Sequence, residues 1–145
     1  MKKSIMVWIF LGAWVLLLVP PGWAQEDPAV QAAREIAKTQ LRIPKEVDLK
    51  FIEKRQSSAF HDTDFHDRLQ RVGVDRLVIA GMQTEYCVDS ACRAAAALGY
   101  HVVLVSDGHT TFDSSALPAE RIIAHHNGTL GGAFVELAAA RDVKF

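Results

Sequence analysis

An unbroken apolar run from Ile5 to Val19 opens the chain, and after it the spacing of apolar and polar residues alternates between helical and strand periods. From Glu26 to Leu41, Val30, Ala33, Ile36, Ala37 and Leu41 fall on one stripe, predicting an amphipathic helix that Pro44 ends. Val47 to Ile52 alternates as a half-buried strand does, and Glu53, Lys54 and Arg55 follow at its end. Asp62 or Thr63 then caps a helix whose first turn carries Asp64 and Asp67 and whose apolar face is Phe65, Leu69 and Val72, up to Gly73. Leu77, Val78, Ile79 and Ala80 are all apolar, the pattern of a parallel strand covered on both faces, and Gly81 ends it. A helix is expected to start at Cys87, with Val88, Ala91, Cys92 and Ala95 on one face and Gly99 as its stop. His101 to Val105 reads as another buried strand, with Asp107 at its carboxyl end. Pro118 opens a helix through Ile122, Ile123 and His126, and Gly131 and Gly132 lead into AFVELA, expected to be a last strand.

Strand and helix in this alternation predict an α/β fold: a parallel sheet with helices on its faces, functional residues gathering beyond the carboxyl ends of the strands. Lys54, the turn from 82 to 87 and Asp107 all fall at such ends. The 145 residues suit one domain, and at 50% apolar and 23% charged the composition is globular. No basic face points to nucleic acid.

The opening run changes the domain picture. Lys2 and Lys3 before it, and Pro20 to Ala24 after it, have the layout of a secretory signal cleaved after Ala24. The run is shorter than the roughly 18 residues a membrane-spanning helix needs. The expected division is therefore a signal over 1–24, a helix and linker over 25–44 and the folded domain over 45–145. The product is secreted or periplasmic, or membrane-anchored if the segment is uncleaved. Cleavage removes two lysines and no acid, taking the formal charge from −1 to −3. Export favours disulfides, yet Cys87 and Cys92 on one helix lie about 140° apart around its axis, so their side chains diverge. Cys92 reads as a small core residue.

The chemistry centres on Cys87. At a strand-to-helix turn, unpaired N–H groups and the positive end of the helix dipole stabilise a thiolate, and the same groups suit a developing oxyanion. A lysine at the end of a neighbouring strand, as Lys54 is expected to be, stabilises both. His61, Asp62, Asp64, His66 and Asp67 have metal-ligand chemistry, but capping and dipole explain the acids equally well. His125 and His126 fall near a helix C-terminus, where a cation is favoured.

The segment from Val74 to Asp113, VDRLVIAGMQTEYCVDSACRAAAALGYHVVLVSDGHTTFD, with FIEKRQSSAF before it and LPAERIIAHHN after it, resembles the isochorismatase-like cysteine hydrolases, a group that includes nicotinamidases and N-carbamoylsarcosine amidohydrolases. The resemblance spans roughly residue 45 to the C-terminus. It implies a Rossmann-like α/β/α sandwich, a homo-oligomer, a small-molecule substrate and an Asp, Lys and Cys triad. Cys87 would be the nucleophile and Lys54 the lysine. A cis peptide between Met82 and Gln83 would aim the Gln83 and Cys87 N–H groups into an oxyanion hole. The family's first strand, ending in the catalytic Asp, has no counterpart in the pattern, and neither does the segment that supplies metal ligands in nicotinamidases. No cofactor and no metal are therefore expected.

Two functions stay open at this stage. One is hydrolysis of a small amide-type C–N bond through a Cys87 thiolate, with Asp48, Asp62 or Asp107 replacing the lost acid. The other is a non-catalytic exported module that binds a small molecule or a partner through the same pocket, its sheet edge open where the first strand is missing. A redox role for the two cysteines is a third, weaker fit to their geometry.

Overall fold

The continuous apolar run at Leu77–Ala80 forms the middle of a strand, β4 (Val74–Met82), with neighbours on both edges and packing on both faces. The computed structural model describes residues 3–9, 14–19 and 48–144, so the helix expected over 26–41 lies outside the described residues. The other strands are β1 (Lys3–Ile9), β2 (Trp14–Val19), β3 (Asp48–Glu53), β5 (His101–Thr110) and β6 (Glu136–Ala138), in one sheet of order β3-β2-β1-β4-β5-β6. β1, β4, β5 and β6 run parallel, while β2 is antiparallel to both β1 and β3. The helices are α1 (Phe65–Arg71), α2 (Asp89–Ala97) and α3 (Ala119–Gly131).

Period-two geometry divides the strands' side chains between two cores. Leu77 and Ile79 of β4 and Val102 and Leu104 of β5 join a large cluster with Phe65 and Leu69 of α1 and Ala91, Cys92 and Ala95 of α2. The alternate residues Val78, Ala80, Val103 and Val105 form a smaller cluster on the other face, packed by Ala138 and Val143. Strands dry on both faces need no polar position, which is why both runs are apolar throughout. α2 closes as expected at Gly99: its φ is +86°, its N–H bonds the Ala96 carbonyl at 3.0 Å, and the Tyr100 N–H bonds the Ala95 carbonyl at 3.1 Å. Gly73, φ +69°, ends α1 in the same way.

Several elements differ from their sequence-based expectations. Within the run whose layout is that of an export signal, the described residues lie in β1 and β2, with β1 parallel to β4 and Val7 buried in the main core. A stretch that is apolar on all sides suits a leader and a doubly covered central strand equally, so periodicity does not separate them. The place beside β4 that loss of a first strand would leave open is thus filled, but by a strand without an acid: none precedes Glu26. The helix expected to start at Cys87 begins instead with a wide π-type turn, Thr84–Val88, and becomes α-helical at Asp89. The Gln83 carbonyl accepts from both Tyr86 N (3.2 Å) and Val88 N (3.0 Å), which spreads that turn. α3 runs on to Gly131, placing His125 and His126 inside the helix rather than near its end, and the AFVELA strand shrinks to Glu136–Ala138. No helix among the described residues is long and apolar enough to cross a membrane.

β5 is longer than its apolar core suggests, because it bulges and then re-pairs. Ile79 sits opposite Leu104, but Gly81 sits opposite His109 and Met82 opposite Thr110. The extra residues of β5 leave the ladder between these points. Gly108 lies in the bulge, where a Cβ would come within 2.7 Å of the Val105 side chain.

Leu104→Ala, which empties a fully buried position between β5 and the helices, is expected to lower unfolding free energy by about 2–5 kcal/mol in urea denaturation. Gly99→Ala, which forces a Cβ into positive φ, should cost about 1 kcal/mol in the same experiment.

Candidate active site

β3 and β4 end on the same side of the sheet with two strands between them, and the residues that follow each end meet there. Lys54, the first residue after β3, is 5% exposed, and Cys87, on the turn after β4, is 6% exposed. The Lys54 Nζ lies 3.2 Å from the Cys87 Sγ. It also donates to the carbonyl oxygens of Gln56 at 3.0 Å and Ser57 at 3.3 Å. An ammonium group has three donors, and here each has an acceptor: two backbone dipoles and one sulfur. Such full satisfaction is what burial of a cation demands.

Just before the turn, Gly81 has φ +124° and the Met82–Gln83 peptide bond is cis. The chain then enters the π-type turn with Thr84, Cys87 and Val88 inward and Tyr86 outward, 55% exposed. Cys92, one turn into α2, is fully buried, and both cysteines are free thiols. Burial, reinforced by the nearby charge of Asp89 and partly offset by that of Arg93, pushes the Cys92 thiol up to about 12. Its role is packing.

The candidate acids stand elsewhere. Asp107, in the β5 bulge, is exposed and accepts the Ala140 N–H at 2.7 Å. Asp62 is exposed at φ +51° beside His61, and Asp48 begins β3 at the opposite end from Lys54. Glu85 and Asp89 flank Cys87 in sequence, yet neither bonds its sulfur; one oxygen of each, Oε2 and Oδ1, is buried without a hydrogen-bond partner. Asp89 Oδ2 takes the Arg93 Nε at 2.8 Å. Among the described residues, no carboxylate hydrogen-bonds Lys54 Nζ or Cys87 Sγ.

The histidine and aspartate group before α1 is used locally. Arg68 Nε bonds Asp64 Oδ2 at 2.7 Å, and the Phe65 N–H bonds the Thr63 hydroxyl at 3.3 Å. His66 Nδ1 meets the Tyr100 hydroxyl at 2.9 Å, to which Gln70 also donates. Among the described residues, no three His, Cys, Asp or Glu side chains converge as metal ligands would.

Sequence reasoning missed a second buried polar group beside the turn. Thr84 Oγ1 lies 2.9 Å from His109 Nδ1, and His109 Nε2 lies 3.0 Å from Asn127 Oδ1. Thr84 is fully buried and His109 is 5% exposed. Burial draws the His109 imidazole below its ordinary range, partly opposed by the Asn127 hydrogen bond and aided by the charge of His126. These residues stand on the turn, β5 and α3, so no sequence spacing connects them.

The isochorismatase domain model matches residues 23–124, more than half of the chain. Among curated proteins, the chain is 32% identical over 98 residues to streptothricin hydrolase from Streptomyces noursei, covering 68% of this chain and 33% of that protein. It is 43% identical over 68 residues to a probable inactive nicotinamidase from Arabidopsis thaliana, covering 46% of this chain and 34% of the relative. The chain thus spans about a third of the length of these two relatives. A crystal structure of an isochorismatase family protein superposes with a TM-score of 0.60 at 30% identity, covering 77% of this chain and 84% of that one.

Iodoacetamide at neutral pH is expected to modify Cys87 and to leave Cys92 untouched until the protein is unfolded, as peptide mass mapping will read.

Proposed function

The chain belongs to the isochorismatase family, and from that premise we propose that it is a cysteine hydrolase of a small amide-type substrate, working through the Cys87 thiolate. The observation that carries this reading is the buried contact of 3.2 Å between the Lys54 ammonium and the Cys87 sulfur. A cation with no other charged partner among the described residues favours the ionised sulfur, the form that attacks carbonyl carbon. In the proposed reaction the thiolate adds to the carbonyl and the C=O electron pair moves to oxygen. The N–H groups of Gln83 and Cys87, with the Lys54 charge, stabilise that oxyanion. Collapse breaks the C–N bond, and the leaving nitrogen takes a proton from Lys54. Water then attacks the thioester, gives one proton back to Lys54 and releases the carboxylic acid and the thiolate. The lysine thereby does the proton transfer, since among the described residues no carboxylate hydrogen-bonds it or the sulfur.

A second reading, a binding module without turnover, is favoured by the same lack of a carboxylate bonded to Lys54 or Cys87 among the described residues. Loss of a general acid or base costs about 10² to 10⁴ in rate, enough to leave recognition without useful catalysis.

Ammonia or amine release from a panel of small amides is the deciding assay. The hydrolase reading expects turnover that falls to the blank in Cys87→Ala and by about 10² to 10⁴ in Lys54→Met. Calorimetric binding of the same amides by the wild-type protein, with release no faster than buffer, overturns it in favour of the module.

A further inference from the structure

The buried pair of Thr84 and His109 belongs to a hydrogen-bond chain whose direction can be assigned atom by atom. It starts at the Ser106 carbonyl of β5, which can only accept, and Asn127 Nδ2 of α3 donates to it at 3.0 Å. That contact settles the orientation of the Asn127 amide and turns Oδ1 toward His109 Nε2, 3.0 Å away. Nε2 must therefore carry the proton. In a neutral imidazole the other nitrogen is then a bare acceptor, and Thr84 Oγ1, 2.9 Å from it, must donate. The β5 bulge makes the chain possible, since it brings His109 opposite Gly81 at the end of β4, just before the turn begins.

We propose that His109 is a positioning residue: through Thr84 it holds the turn that carries Cys87 so that the sulfur rests on the Lys54 ammonium. Thr84 opens that turn, and its β-branched side chain is stiff about χ1, so anchoring Oγ1 anchors the backbone three residues before the sulfur. Without the acceptor, a fully buried hydroxyl is left unpaired and the turn relaxes to satisfy it. His109 makes no hydrogen bond to Cys87 or Lys54; the side-chain hydrogen bond that ties it to the turn is the one to Thr84. The inference rests on Cys87 being the nucleophile.

The test measures the iodoacetamide rate constant at Cys87 of the folded full chain at one pH, with melting temperature recorded for each variant. Thr84→Val, close in shape but without the hydroxyl, and His109→Gln, which cannot reach both partners, should each slow the reaction about ten- to a hundredfold, as a misplacement near 1 Å would. The double variant should be no slower than the slower single one, because both act through one hydrogen bond. Thr84→Ser, which keeps the hydroxyl but not the stiff branch, should react faster than Thr84→Val and recover most of the wild-type rate. Melting temperatures that fall while the Cys87 rate stays at the wild-type value would overturn positioning and leave the nucleophile reading intact, as would independent, multiplying losses in the double variant. A wild-type Cys87 no more reactive than Cys92 would instead overturn the nucleophile itself. Nitrogen-15 spectra of the wild-type histidines supply a readout independent of mutation: a protonated Nε2 and a bare Nδ1 at His109 are expected, and the reverse tautomer overturns the chain.

Discussion

A buried ammonium group is tolerated only where each of its protons finds an acceptor, and around Lys54 that requirement organises the local structure. Two of the acceptors, the carbonyls of Gln56 and Ser57, belong to the loop folded back just after β3. The third is a sulfur from a turn that follows β4, on the far side of β2 and β1. Removing any one acceptor leaves a nearly inaccessible charge short of a partner, a loss of several kcal/mol in typical buried sites. The contact therefore joins the ends of two non-neighbouring strands and, in the same geometry, places a cation against a thiol.

The sheet provides the setting. Strands that are dry on both faces have no polar side chains of their own to offer, so polar chemistry collects where they end. At the end of β4 the backbone departs from regular geometry in quick succession: Gly81 at positive φ, a cis peptide, then a π-type turn. At the same level β5 leaves its ladder and returns, setting a buried histidine against the start of that turn. One irregularity carries the sulfur and the other steadies it.

What the described site lacks is a carboxylate on the lysine or the sulfur, and this shapes the proposed reaction. With no carboxylate bonded to either group among the described residues, the proposed reaction draws the proton that the leaving nitrogen needs from the ammonium that already touches the sulfur. The same arrangement without efficient proton transfer would still recognise a polarised carbonyl, so catalysis and binding are readings of one geometry and differ in rate.

Much of this was legible from residues in order. The apolar runs at Leu77–Ala80 and His101–Val105, the stop at Gly99 and the turn bearing Cys87 follow from period, glycine and composition, all properties of a chain's near neighbours. Lys54 and Cys87 could be set against each other from their places at the ends of predicted strands, and the isochorismatase likeness of the segment around them added the roles of lysine and nucleophile. The rest was decided in three dimensions. An apolar run from Ile5 to Val19 is consistent with a leader and with sheet strands; that its described residues lie in β1, beside β4, and in β2, between β1 and β3, is a matter of pairing that periodicity does not reach. The chain of Thr84, His109, Asn127 and the Ser106 carbonyl joins a turn, a bulge and a helix. Local pattern records what a residue's neighbours in sequence require of it. Which distant polar groups share one buried space is set by how the elements pack, and there the direction of every hydrogen bond is fixed by the partner at its other end.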